Sequence, residues 1–402
     1  MTETARPLRV PALILGGGAA GLMCAAQSGP GTVVVEHRAA PGEKIRISGG
    51  GRCNFTNLHA APENFLSGNP HFAKSALSRY TQWDFIDLVE RHRIGWHEKT
   101  LGQLFCDGKS AAIIAMLMDE VAAAGAEVWP ETTLDEVAHR NGAFHCRLTR
   151  AGHPVAVVAE TLVVASGGKS IPKIGATGRG YAIARDFGVP VTETRPGLVP
   201  LTFGDAFGEL SGVACPARVG AGGAAFEEAL LFTHRGLSGP AVLQASSYWQ
   251  EGTALSVCLR PDLDFLAALR AARAEAGRRD VVTVLSDLIP KRLAAHAAAA
   301  VGVAGRLADL PDAALRGLVD RLVAWELVPT GTEGYRKAEV TLGGVDTHAL
   351  DARTMQARDV PGLHFIGEVV DVTGWLGGYN FQWAWSSGWA AGQAIAARRQ
   401  AA

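Results

Sequence analysis

The stretch VPALILGGGAAGLMCAAQSGPGTVVVEHR, residues 10–38, decides the fold of this chain. It consists of an apolar run, a glycine turn, a short helical pattern and a second apolar run that ends at Glu36. Gly16, Gly18 and Gly21 satisfy G-x-G-x-x-G, and Glu36 follows Gly16 by 20 residues. A strand before the glycines, a helix after them and an acid at this distance make the motif specific. The stretch therefore predicts a Rossmann-like unit that binds a dinucleotide.

Each glycine of the motif has a separate physical role. Gly16 permits the tight turn, Gly18 allows the backbone to approach a pyrophosphate, and Gly21 allows the helix to pack closely on the strand. The helix that begins near Ala19 and Ala20 presents its N-terminal amides to the phosphates. These five residues are the predicted pyrophosphate site.

The end of the second strand predicts the adenosine side of the same site. A carboxylate at Glu36 accepts the ribose hydroxyls and would repel a 2′-phosphate. His37 and Arg38 follow it directly and are predicted to contact the cofactor as well. The fingerprint alone does not say which dinucleotide is bound.

The segment SGGGRCNFTN, residues 48–57, favours FAD over NAD. It follows the second strand at the place where NAD enzymes normally enter a crossover helix. Glycine loses the most entropy on ordering, so three in a row suit a loop whose bare backbone presses against a ligand. The alternative is a structural hinge. The predicted cofactor-binding residues of this region are Lys44, Ser48, Gly49, Gly50, Gly51, Arg52, Cys53 and Asn54.

The last quarter of the chain returns to glycine-rich chemistry, as a cofactor bound by a discontinuous domain requires. Residues 361–396, PGLHFIGEVVDVTGWLGGYNFQWAWSSGWAAGQAIA, open with a strand pattern and close with a small-residue helix. An acid after such a strand suits the ribityl chain, and the helix N-terminus suits charge on a reduced flavin. The predicted contacts are Gly367, Glu368, Asp371, Gly378, Tyr379, Asn380, Phe381 and Gln382.

Two further segments are predicted to touch the dinucleotide. The apolar strand of ETLVVASGG ends in small residues that suit close contact, although an ordinary strand–turn–helix is the alternative. The strand near Leu134 is a weaker candidate for a contact with the adenine. The small residues are Ala165, Ser166, Gly167 and Gly168.

Several motifs taken together resemble one family of bacterial NAD(P)/FAD-dependent flavoproteins, with aminoacetone oxidase-like and bile-acid reductase-like members. They are SGGGRCNFTN, LFTHRGLSGP (231–240), AEVTLGGVDT (338–347) and TMQARDVPGLHFIGEVVDVTGWLGGYNFQWAWSSG (354–388). The match covers essentially the whole chain. The resemblance implies a glutathione-reductase-type FAD domain with an inserted β-barrel and a small helical subdomain. The activity it implies is that of a flavin oxidoreductase.

The pattern along the chain predicts an α/β protein with a discontinuous FAD-binding domain at residues 1–190 and 336–402. Residues 191–335 form the predicted insertion: a β-barrel from 191–260 and near 336–345, and a helical subdomain at 261–330. The insertion has no second G-x-G-x-x-G. A nicotinamide, if used, is therefore expected to bind transiently.

Composition excludes some function classes and bounds the location. With 38 basic and 39 acidic residues the net charge is −1, which gives no footprint for nucleic acid or an anionic membrane. No signal peptide or membrane span is expected, so we predict a cytoplasmic protein. The six cysteines have no C-x-x-C or metal spacing, and we expect reduced thiols and no metal.

The catalytic residue is not identified by the sequence; the weak candidates are Arg52, Asn54, His234 and Tyr379. Arg52 could neutralise a phosphate or the flavin N1–C2=O region, and Asn54 could bind flavin or substrate. His234 suits either an acid–base group near neutral pH or a hydrogen-bonded structural histidine. Cys53 is expected to be a packing residue rather than a redox thiol, because it has no adjacent second cysteine.

Other side chains near these motifs have open roles. Tyr379 and Trp375 suit either the wall of a substrate cavity or aromatic packing. Lys44 and Arg46 suit either a solvated face or a contact with a phosphate or substrate anion.

Three functions are compatible with these patterns. The leading hypothesis is an FAD-dependent oxidoreductase that passes hydride from NAD(P)H or an oxidisable small molecule through flavin N5 to an acceptor or oxygen. Both amine oxidation and reduction of an activated C=C bond fit it. An alternative is an FAD-dependent RNA-modification protein, against which the balanced charge argues. A third is a non-catalytic flavin-binding sensor. The expected partner is a small molecule, without nucleic acid.

Overall fold

The computed structural model describes residues 6–401 and shows two compact units. One is built from the residues up to Arg195 together with those from Val340 onward. The other contains Pro196–Glu339.

The strands and helices follow one another in this order. The strands are β1 (Leu8–Leu15), β2 (Val33–Val35), β3 (Asn54–Asn57), β4 (Phe65–Leu66), β5 (Trp96–Glu98), β6 (Gln103–Cys106), β7 (Glu127–Trp129), β8 (Thr132–Arg140), β9 (Ala143–Arg150), β10 (His153–Val164), β11 (Arg195–Gly197), β12 (Leu201–Thr202), β13 (Ala214–Ala221), β14 (Ala224–Thr233), β15 (Gly236–Ser238), β16 (Leu255–Leu259), β17 (Trp325–Leu327), β18 (Gly331–Thr332), β19 (Val340–Leu342), β20 (Leu363–Phe365) and β21 (Thr373–Gly374). The α-helices are α1 (Ala19–Ser28), α2 (Glu43–Ile47), α3 (Phe72–Arg79), α4 (Gln82–Arg91), α5 (Ala111–Ala123), α6 (Arg179–Asp186), α7 (Pro240–Ser246), α8 (Phe265–Ala276), α9 (Val281–Ser286), α10 (Lys291–Ala300), α11 (Asp312–Val323) and α12 (Tyr379–Gln400).

The first unit is organised by a mixed sheet with the strand order β7-β2-β1-β10-β9-β8. The pairs β7–β2, β2–β1 and β1–β10 are parallel, whereas β8, β9 and β10 pair antiparallel. The long strand β10 pairs with β9 through residues 153–159 and with β20, in parallel, through residues 162–164. The sequence prediction of an α/β, Rossmann-like fold is confirmed.

The core of this unit lies where α1 and α12 pack together beside the parallel strands. Leu13 and Ile14 of β1 are fully buried. Continuous apolar sequence is expected in a strand of a parallel sheet that is covered on both faces. Helix α12 approaches α1 closely at two glycines. A Cβ atom at Gly388 would lie 2.5 Å from the Ala20 carbonyl oxygen, and one at Gly392 would lie 2.7 Å from that of Cys24. Only glycine allows the two helices this separation.

The second unit contains one seven-stranded antiparallel sheet and the helices α7 to α11. Its strand order is β17-β16-β13-β14-β15-β12-β18. Leu315, Leu318 and Leu322 of α11 are fully buried, in agreement with their helical spacing.

The two edge strands of this sheet differ from the sequence prediction. β17 and β18 lie at residues 325–332, whereas the sequence placed the last strand near 336–345 and continued the helices to 330. Residues 335–337 instead form a turn, and Val340–Leu342 belongs to the first unit. Strands of two or three residues are too short for alternation to distinguish them from the end of a helical stripe.

Helices long and apolar enough to cross a membrane do not occur between residues 6 and 401.

We predict that Gly388→Ala destabilises the protein by about 1–3 kcal/mol, because the added methyl group overlaps the Ala20 carbonyl of α1. The matched control is Gly317→Ala in the middle of α11, where a Cβ atom would meet nothing within 4 Å. Its higher helix propensity should leave stability unchanged or raise it by up to about 1 kcal/mol. Thermal unfolding of both variants measures the difference. Equal midpoints for the two variants would contradict the close packing of α12 on α1.

Candidate cofactor site

In the turn between β1 and α1, some glycines are required by close backbone contacts and another leaves room for a ligand. Gly16 has φ +111°, and a Cβ atom there would lie 2.5 Å from the Ala165 carbonyl oxygen. A Cβ atom at Gly21 would lie 1.9 Å from the Gly16 carbonyl oxygen. At Gly18, the residue that caps α1, nothing lies within 4 Å. The space in front of the helix N-terminus is therefore open, as an anion site requires.

The Glu36 carboxylate is fixed just after β2. It accepts hydrogen bonds from the Gly17 N–H at 2.9 Å and from the Arg38 N–H at 2.8 Å, and its Oε1 lies 2.9 Å from His37 Nδ1. Burial alone would raise the pKa of Glu36, but the hydrogen bond with His37 and those from the two backbone amides hold it below its ordinary value. The carboxylate is therefore an anionic acceptor tied to the glycine turn.

The end of β10 provides an opening on the other side of the turn. The Ser166 hydroxyl is buried and finds no hydrogen-bond partner among residues 6–401. Gly167 has φ +72° and open space where a side chain would be. A buried hydroxyl that lacks a partner in the protein is rare, and this one lies against Gly180 of α6, where a Cβ atom would be 2.4 Å away. With the open position at Gly18, these residues fit a dinucleotide.

The glycine loop, residues 48–52, has a left-handed backbone through its three glycines. Gly49, Gly50 and Gly51 all have positive φ, between 56° and 86°. A Cβ atom at Gly49 would lie 2.8 Å from the Phe105 ring, whereas Gly50 and Gly51 face open space. The loop is held by the bond from the Ser110 N–H to the Gly51 carbonyl at 2.8 Å. Two of the three glycines thus leave their backbone accessible.

Cys53 is buried beneath this loop. It is fully inaccessible to solvent, and burial raises the pKa of its thiol to about 12. All six cysteines are free. The environment supports the expected packing role, because a reactive cysteine needs an accessible thiolate.

Asn54 and the C-terminal segment form one hydrogen-bonded support. With its amide oriented to satisfy both ends, Asn54 donates to the carbonyls of Thr56 and Leu104 and accepts from the Gly378 N–H at 3.3 Å. Asn57 donates to the Gly377 carbonyl at 2.9 Å. Asn54 therefore joins the strand after the glycine loop to the start of α12.

The first residues of α12 mostly stabilise the turn that precedes them. Asn380 accepts from the Gly374 N–H at 2.9 Å and donates to the carbonyls of Gly374 and Trp375. Gln382 is fully buried, and its amide binds Thr56, Tyr80 and Ser386. The side chain of Gln382 therefore supports α12 from within the protein.

The aromatic residues near this turn pack on one another. The Tyr379 ring is buried and contacts the rings of Phe65 and Trp375, and Phe381 stacks on Trp385. These contacts favour aromatic packing over a cavity wall for Tyr379.

A polar cluster connects the glycine-loop region to the strand before Glu368. Lys44 Nζ lies 2.5 Å from Glu368 Oε2 and 2.8 Å from Ser170 Oγ. The other carboxylate oxygen of Glu368 accepts from Ser170 and from the Thr341 N–H. A Cβ atom at Gly168 would lie 2.5 Å from Thr341 Oγ1, so the small residue is needed here. The sequence prediction included Lys44 and Glu368 but missed Ser170 and Thr341.

Four other predicted residues lie outside this cluster. Asp371 accepts from the Gly68 N–H at 3.0 Å; burial raises the pKa of Asp371 despite that bond. Leu134 lies on β8. His234 is exposed in the turn between β14 and β15 of the second unit. Gly367 contacts the first unit's helix α1, where a Cβ atom would lie 2.8 Å from the Ala20 methyl group.

Metal binding finds no support in the part of the chain that the structure describes, where no three His, Cys, Asp or Glu side chains come together.

We predict that iodoacetamide labels Cys53 only after unfolding, because the buried thiol stays protonated at neutral pH. Cys258, which is partly exposed, is the internal control and should react first in the native protein. Peptide mapping by mass spectrometry after timed labelling measures both residues in one sample. Labelling of Cys53 as fast as that of Cys258 would mean that the thiol is accessible and reactive.

Comparison with known proteins identifies relatives along the whole chain. A ribosomal RNA dihydrouridine synthase of Escherichia coli is 49% identical over 407 residues, covering 97% of this chain and 99% of the relative. One of the same name from Haemophilus influenzae is 44% identical, covering 95% and 98%. A 3-dehydro-bile acid delta(4,6)-reductase of Clostridium scindens is 27% identical, covering 96% and 98%.

Solved structures give the same fold at low identity. The 3-ketosteroid-delta4-(5alpha)-dehydrogenase of Rhodococcus jostii has a TM-score of 0.53 at 15% identity, with 98% of each chain covered. The family model described as HI0933-like protein Rossmann domain matches residues 10–394. The predicted resemblance is confirmed at the level of an FAD-binding Rossmann family that includes a reductase. The chain belongs to the HI0933-like family, and the unit built around β1, α1 and α12 is its FAD-binding Rossmann domain.

Proposed function

We propose that this protein is an FAD-dependent reductase that converts uridine in ribosomal RNA to dihydrouridine. The observation that carries the proposal is the 49% identity, over 97% of this chain, to a protein named ribosomal RNA dihydrouridine synthase. The 27% identical relative is also named as a reductase. These names favour the RNA-modification alternative over the small-molecule oxidoreductase that the sequence patterns placed first.

The expectation of no nucleic acid partner conflicts with the names of these relatives, and we propose an RNA partner in its place. It rested on the net charge of −1, which averages over both units. A sum over 402 residues does not report a local cluster of cations.

The chain's own residues are proposed to hold FAD along the open side of the glycine turn. Gly18 and the N-terminus of α1 face the pyrophosphate, and Glu36 accepts the ribose hydroxyls. Gly50 and Gly51 let the backbone approach the flavin end. Bound FAD supplies hydride chemistry, which the side chains of the site do not provide themselves.

The proposed reaction is balanced by one reductant. The C5=C6 bond of uridine is conjugated to the C4 carbonyl, so C6 is electron-poor and accepts a hydride equivalent, while C5 takes a proton that comes from the solution. NAD(P)H would lose that hydride and become NAD(P)⁺. The inserted unit has no second dinucleotide fingerprint, which supports transient binding of NAD(P)H. The role of the protein is to orient the uracil ring and exclude water.

Glu36→Gln should weaken FAD retention, because the amide can no longer accept both backbone hydrogen bonds and the ribose hydroxyls as an anion. We expect a loss of about 1–3 kcal/mol in FAD binding. The measurement is the dissociation constant of FAD from deflavinated protein, followed by flavin fluorescence. Glu160→Gln, an exposed acid on β10, is the matched control and should bind FAD like the native chain. Native affinity in Glu36→Gln would contradict the ribose assignment.

The function itself is tested with purified holoprotein, NADPH or NADH, and ribosomal RNA transcribed without modifications. Incubation without oxygen should add two hydrogens to a uridine, detected by mass spectrometry of nuclease fragments. Omission of the nicotinamide is the control and should leave the RNA unchanged. Rapid oxidation of NAD(P)H with oxygen or a small ketone, with no change in any RNA, would instead favour the small-molecule oxidoreductase.

A further inference from the structure

Three exposed cations lie on segments that adjoin the glycine loop. They are Arg52 on the loop, Lys99 in the β5–β6 hairpin and Lys109 in the segment before α5. The sequence does not indicate that these three residues form a group, because they are spread over 58 positions in the chain. The fold brings their backbones together.

Backbone hydrogen bonds fix this arrangement. The Cys106 N–H donates to the Arg52 carbonyl at 3.0 Å, and the Ser110 N–H donates to the Gly51 carbonyl at 2.8 Å. β3 and β6 pair antiparallel, with Asn54 opposite Phe105. The Lys99 ammonium lies 5.5 Å from the centre of the Phe105 ring, which packs against Gly49. The hairpin and the glycine loop are thus one surface.

The neighbouring acids are already engaged. The Asp107 carboxylate lies 2.7 Å from His97 Nδ1, Glu98 accepts from the Gly102 N–H at 3.0 Å, and Glu43 pairs with Arg46 at 3.2 Å. Within residues 6–401, no carboxylate forms an ion pair with any of the three cations. Cations without such pairs remain available to an external anion.

Exposed apolar side chains lie among these cations. Leu101 at the tip of the hairpin is 55% exposed, and Ile47 directly before the glycine loop is 44% exposed. Large apolar side chains at this exposure beside unpaired cations match a surface that contacts both the phosphates and the bases or sugars of a nucleic acid.

We propose that the hairpin and the glycine loop form a binding rim for single-stranded ribosomal RNA, in which Lys99 and Lys109 contact phosphates flanking the uridine to be reduced. This proposal rests on the proposed function. A uracil ring can reach a buried cofactor only after it leaves the base stack, and its neighbouring phosphates then lie at the mouth of the site. Arg52 lies closest to the open glycines and belongs to the inner end of the rim.

The double substitution Lys99→Gln with Lys109→Gln tests the rim without altering a residue of the cofactor site. Its matched control replaces two exposed lysines elsewhere, Lys74→Gln with Lys291→Gln. The probe is an unmodified single-stranded fragment of ribosomal RNA, and its affinity for each holoprotein is measured over a range of salt concentrations. FAD content and flavin reduction by NAD(P)H are recorded on the same samples to show that the fold is intact.

Loss of the two lysines should weaken RNA binding and reduce the slope of log affinity against log salt by about 1.4, as expected for two phosphate contacts on a single strand, whereas the control variant keeps the native slope. The double variant Lys99→Arg with Lys109→Arg, which keeps both positive charges, should retain most of the native affinity for RNA. If the native protein modifies RNA and the glutamine variant keeps the native slope and affinity, Lys99 and Lys109 do not contact the RNA. The proposed rim is then contradicted, while the proposed function stands. If the native protein neither binds nor modifies any RNA, the proposed function fails and the rim fails with it.

Discussion

The structure of the FAD-binding unit depends on the contact between Gly21 of α1 and the Gly16 carbonyl at the end of β1. The separation there leaves room for a hydrogen atom and for no side chain, since a Cβ atom would lie 1.9 Å from that oxygen. The contact sets the direction in which α1 leaves the sheet and so leaves the helix N-terminus open at Gly18. Helix α12 then packs on α1 through Gly388 and Gly392. Small residues on three elements therefore create both the core and the opening beside it.

The features of this site that the sequence predicts are those formed by residues close together in the chain. Gly16, Gly18, Gly21 and Glu36 lie within one strand–helix–strand unit, so their spacing encodes their geometry directly. The supporting roles of Asn54 and Gln382 could not be predicted, because they arise from partners such as Gly378 and Tyr80 that the fold brings near. Spacing does not show whether a polar side chain faces a ligand or the protein.

Charge was the least informative sequence property. The whole chain is nearly neutral, and several of its cations form ion pairs within the protein. Examples are Lys44 with Glu368, Arg147 with Glu136 and Arg279 with Asp287. What matters for an anionic substrate is which cations lack such partners and share a face. That property depends on the pairing of β3 with β6 and on the bonds between residues 51–52 and 106–110, which no pattern of residue types records. The neutral total is therefore compatible with the RNA substrate that we propose.

The central claim is that electrons from this protein's flavin reduce uridine in ribosomal RNA. It is tested most directly in a single turnover without oxygen, in which holoprotein reduced in advance and freed of nicotinamide is mixed with unmodified ribosomal RNA. The account predicts that the absorbance of oxidised flavin returns while dihydrouridine forms in equal amount, and that RNA already carrying the modification produces no such change. A flavin that stays reduced with every RNA, yet is oxidised readily by oxygen or a small electron-poor molecule, would contradict it.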